Sequence, residues 1–89
     1  MSGQPPTEFP EASLIRHVFD LAQQVAIALG EVENPITNKR ETNLPAARYL
    51  IDVLTILEEK TRGQRTEEEE TYITQLLPGL KLGYVNKSK

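Results

Sequence analysis

The chain has no cysteine and a single histidine among its 89 residues. Without cysteine no disulfide can staple the fold, and no thiolate can act as nucleophile or soft metal ligand. One histidine without cysteine also excludes the usual zinc sites. Long apolar runs are missing too: none approaches the roughly 18 residues that cross a bilayer. The opening MSGQPPTEFPE lacks the basic-then-apolar order of a signal peptide, and Ser2 follows Met1 where myristoylation needs glycine. These absences lead to the expectation of a soluble cytoplasmic protein with no membrane partner. Strong charge of either sign is also lacking. Ten basic against 13 acidic residues give a formal charge of −3, which offers no electrostatic footprint for nucleic acid.

What is present is helical periodicity. Residues 1–8, with Pro5-Pro6 and almost nothing to bury, read as a disordered arm. From Glu11 to Leu29, steps of 100° gather Ser13, Arg16, His17, Asp20, Gln23 and Gln24 into an arc of about 120°. The rest is apolar apart from the misplaced Ile27, and Gly30 follows as a residue able to take positive φ at a helix end. Glu31 to Asn43 has no period. Asn34-Pro35 favours a turn there, and Asn43 is placed to cap a second helix with Pro45 in its first turn. That helix runs to about Thr61, and Arg48, Asp52, Thr55 and Glu59 form its narrow polar stripe.

The segment EEKTRGQRTEEEE, Glu58 to Glu70, then packs nine charges around one glycine. It reads as the turn of a helical hairpin. Lys60 and Arg62 suit the negative end of the second helix, and Gly63 suits its exit. Thr66 with Glu69 makes a capping box for a third helix beginning at Glu67. A phosphate-binding loop is the competing reading. Four glutamates, however, occupy the place an anion would take. Tyr72, Ile73, Leu76 and Leu77 then share a face that Leu80 and Tyr84 would extend. Pro78-Gly79 interrupts that pattern, so regular helix is expected to stop or bend near Leu77. Residues 9–86 thus form a single all-α, three-helix domain with helices 2 and 3 as a hairpin, and residues 87–89 form a frayed tail.

Several of these segments resemble the small bacterial proteins grouped as domain of unknown function 1844. The likeness lies in L-G-x-x-x-N-P-x-T at Leu29 to Thr37, A-R-x-x-I-D at Ala47 to Asp52 and E-K-T-x-G at Glu59 to Gly63. T-x-E-E at Thr66 to Glu69 and the closing Tyr84-Val85 complete it, over residues 11 to 86. The resemblance implies a short helical protein and attaches no activity to it. Pro78-Gly79 departs from the helix-compatible sequence usual at that place in the family.

No constellation points to catalysis, and no cofactor or metal is expected. His17 and Asp20 are three residues apart on the polar arc of helix 1, without a serine or cysteine nucleophile at local spacing, and read as solvated surface. A helix-turn-helix nucleic-acid binder is the alternative function. It would present Glu67 to Glu70 to the DNA, and phosphates would repel them. The stronger signal is surplus apolar surface. A core-facing helix needs at least about 100°, whereas helix 1 offers roughly 200° and helix 2 roughly 240°. Tyr49, Val53 and Ile56 lie on the flank of helix 2 away from Ile51 and Leu54, and are the candidate interface of a homodimer or larger even-numbered oligomer. The loop residues Asn34, Pro35, Thr37, Lys39 and Arg40 are the candidate contact for an unidentified protein partner, because the loop is long for a helix–helix connection.

Overall fold

The computed structural model describes residues 9–89; the arm expected over residues 1–8 lies outside them. Three helices follow in order, α1 (Leu14–Ala28), α2 (Leu44–Lys60) and α3 (Glu67–Lys87), and each packs against the other two. The buried side chains sit at helical spacings of three and four. Val18, Leu21, Val25 and Ala28 come from α1, Ala47, Ile51 and Leu54 from α2, and Ile73 and Leu77 from α3, with Leu29 beside them. Burial of a Val, Leu or Ile side chain is worth about 1.5–3 kcal/mol, so this seam is what holds three short helices together.

The helix ends follow local chemistry. α1 begins at Leu14 rather than Glu11, because Ser13 is extended and its hydroxyl accepts from the Arg16 N–H at 3.0 Å. At its far end Gly30 takes φ +76°, with Gly30 N–H donating to the Ile27 carbonyl and Glu31 N–H to the Ala26 carbonyl. This is the paired closure that satisfies orphan carbonyls at a left-handed helix exit. A Cβ at Gly30 would also stand 2.8 Å from Thr42 Oγ1, so glycine is required there twice over. α2 starts on Asn43, whose side chain accepts from the Ala46 N–H at 3.1 Å, with proline in the first turn as expected. Gly63, at φ +81°, turns the chain two residues past the Thr61 cap. α3 opens on the full capping box of Thr66 and Glu69.

The expected stop in the third helix is not found. α3 does not stop at Leu77; it passes through Pro78 and Gly79 to Lys87, which belongs to the helix and not to the tail. Proline in a helix interior forfeits one hydrogen bond and costs about 3 kcal/mol. Here the unpaired acceptor is the Thr74 carbonyl, and Thr74, Pro78 and Gly79 all lie on the exposed side of the helix, where solvent access lowers the cost of the lost donor. On the opposite side Leu80 and Tyr84 pack against the core along the stripe begun by Ile73 and Leu77. Their burial, available only if the helix continues, outweighs the local penalty.

Candidate functional site

The outer face of α2 carries large apolar side chains in water; Phe9, Ile36 and the α3 pair Leu82 and Val85 are likewise exposed elsewhere on the surface. The inner side of α2, through Ala47, Ile51 and Leu54, belongs to the core. On a 100° wheel Tyr49 and Ile56 lie within about 20° of each other and roughly opposite that seam. Tyr49 is 67 % exposed and Ile56 54 %, while Val53, half-buried, lies beside them. The structure thus brings the three candidate interface residues onto one flank. Arg48, Asp52 and Glu59, all exposed, border it on one edge. Arg48 and Asp52 make only a loose, exposed pair at 3.9 Å, of a kind worth at most about 1 kcal/mol.

Along the other edge, Ala46 and Leu50 help to line an open groove of about 430 Å³ with Ile27, Asn34, Pro35 and Ile36. The loop folds back to build it. Leu29 bridges to Thr42, and Asn43 N–H donates to the Ala28 carbonyl at 2.7 Å, closing the base. At the tip the Asn34 side chain accepts from the Ile36 N–H at 2.8 Å, and Asn34 N–H donates to the Lys39 carbonyl. Asn38 there holds φ +58°, a region asparagine tolerates better than most residues. Arg40 turns away from the groove and donates to the Glu31 carbonyl at 2.9 Å, whereas Thr37 and Lys39 are exposed. Of the five candidate loop residues, then, only Asn34 and Pro35 face the groove. Ile36, 89 % exposed, was the residue to notice; an isoleucine among turn-formers in N-P-I-T-N is its only sequence signal.

The charged turn behaves differently. Arg62 grips Glu58 with two hydrogen bonds of 2.7 Å, and this contact, stronger than the upward push of burial, holds the Glu58 carboxyl below the ordinary glutamate range; the charges of Arg62 and Arg65 add to the lowering. Arg65 is the unexpected member. Its side chain is only 4 % exposed and its Nη2 reaches Glu58 at 3.3 Å and Glu70 at 2.8 Å, so it ties the end of α2 to the start of α3. Its Nε and Nη1 are enclosed with no hydrogen-bond partner among the described residues. Sequence spacing alone does not reveal that the hairpin closes over this side chain.

On α1, His17 is exposed and Asp20 pairs instead with Arg16 at 3.1 Å, while the Arg16 guanidinium sits 5.2 Å from the Phe19 ring centre. Within the core, a void of about 10 Å³ between Val18, Leu54, Ile73 and Leu77 has room for one water at most. No helix among the described residues is long and apolar enough to cross a membrane.

The arrangement defines a small all-α domain: a helical hairpin, α2–α3, packed on a leading helix that is joined through a folded-back loop. The chain belongs to the family described as domain of unknown function (DUF1844), whose model matches residues 11–86. No curated protein and no solved structure matches it.

Proposed function

We propose that this chain is a non-enzymatic interaction or structural module that associates with copies of itself through the outer face of α2. The observation that supports this reading is the pair Tyr49 and Ile56, two large apolar side chains left in water about two turns apart on one face, with half-buried Val53 between them, on a helix already anchored by its other face. Single exposed apolar residues are ordinary, but several gathered on one helix face mark contact surfaces. The reading assigns no catalytic residue, cofactor or metal. It assigns no nucleic-acid partner either, in keeping with the four glutamates in the first turn of α3. It carries with it a cytoplasmic setting, in keeping with the lack of cysteine, and the bacterial origin that the family resemblance implies.

Light scattering during size-exclusion chromatography, at tens of micromolar, tests this reading. The wild type is expected at twice the single-chain mass or a higher even multiple. Val53→Glu buries a charge without a partner, at a cost of about 3 kcal/mol or more, and is expected at single-chain mass with an unchanged helical circular dichroism spectrum. A wild type at single-chain mass overturns the proposal.

A further inference from the structure

We infer that two copies meet through antiparallel α2 helices, related by a two-fold axis near Asp52–Val53, so that Tyr49 of one copy packs against Ile56 of the other. This rests on the self-association reading above and specifies its geometry. The outer face of α2 has two unlike edges. Arg48, Asp52 and Glu59 follow one; Val53, with Ala46 and Leu50 beyond it, follows the other. A two-fold axis along the helices sets each edge against the opposite edge of the other copy. Arg48 and Asp52 then lose water over Val53 and gain no partner. A two-fold axis across the helices sets each edge against its own counterpart. Val53 meets Val53, and Arg48, near the start of α2, meets Glu59, near its end.

The antiparallel arrangement suits both edges better, setting apolar against apolar and Arg48 against Glu59, at the cost of bringing the two exposed Asp52 carboxylates near each other across the axis. Arg48 is free to make the exchange, because its hold on Asp52 within the chain is long and exposed. At 1.5 Å per residue, Tyr49 and Ile56 are about 10 Å apart along the axis, so the two orientations are readily told apart.

The chain's lack of cysteine makes single-cysteine reporters unambiguous. Tyr49→Cys and Ile56→Cys are prepared separately; both positions are exposed, so neither change disturbs the core. Each is treated with the shortest bismaleimide alone and as an equimolar mixture, and native mass is measured in parallel. The expected result is cross-linking in the mixture at least tenfold faster than in either variant alone. A second arm reverses the edge charges. Arg48→Glu is expected to weaken association about tenfold, and Arg48→Glu with Glu59→Arg to restore it. Oligomeric mass with self-linking as fast as mixed linking, or no restoration by the double reversal, overturns the antiparallel geometry while leaving self-association intact. Single-chain mass of the wild type overturns both.

Discussion

The Glu58–Glu70 turn and the outer face of α2 are opposites. The turn holds nine charges and settles most of them internally, as caps, as a two-pronged Arg62–Glu58 contact and as the Arg65 bridge. The α2 face holds few charges and leaves Tyr49 and Ile56 in water. A dense charge run draws attention, yet charge is satisfied cheaply, by water or by a helix end, and so says little about a partner. An apolar side chain has no such outlet; only another surface removes it from water. The informative region is therefore the one whose needs the chain does not meet.

The contrast can be broken most strongly at Arg65. Arg65→Ala removes the bridge between α2 and α3 and its packed stem, and is expected to lower stability by about 1–3 kcal/mol. The lower end of that range reflects the two guanidinium nitrogens that already lack partners among the described residues. Urea unfolding followed by circular dichroism measures the loss, while light scattering should show the native mass of the folded variant unchanged. A change smaller than about 0.5 kcal/mol, the scale of an ordinary surface substitution, would mean that the turn does not depend on it.

A smaller effect sharpens the same contrast through acid. The Glu58 carboxyl is held low in the folded chain, first by its hydrogen bonds to Arg62. As pH falls the unfolded state therefore takes up the proton first. The stabilisation is complete above the ordinary carboxylate value, about 4 to 5, and is lost as pH falls through the lower folded value. Wild type should exceed Glu58→Gln in urea midpoint at pH 7, and the gap should be smaller at pH 3. An equal gap at both pH values would assign the difference to packing and not to charge.

Much of the fold was legible because helix ends are local. Asn43, Thr66 with Glu69, and Gly30 each act within five residues, and each does what its spacing implied. Pro78 misled for the converse reason: its cost is local, while the return from Leu80 and Tyr84 depends on α1 and α2 being in place. Arg65 and the groove beside Ile36 were hidden likewise, since both arise where distant segments close over one another. Of the candidate site, Tyr49, Val53 and Ile56 could be read from a helical wheel as surplus. Which residues of α2 are buried, and that Val53 is half-buried while Tyr49 and Ile56 stay in water, emerged from the packing.

The central claim, that a second copy covers the α2 face, is tested most directly by thermal unfolding of the wild type across a roughly hundredfold range of protein concentration. Association of folded chains stabilises them by mass action, so the midpoint should climb steadily with concentration, and that of Val53→Glu should not move. A wild-type midpoint that stays constant over the whole range would contradict the account and show that three helices suffice to cover one another.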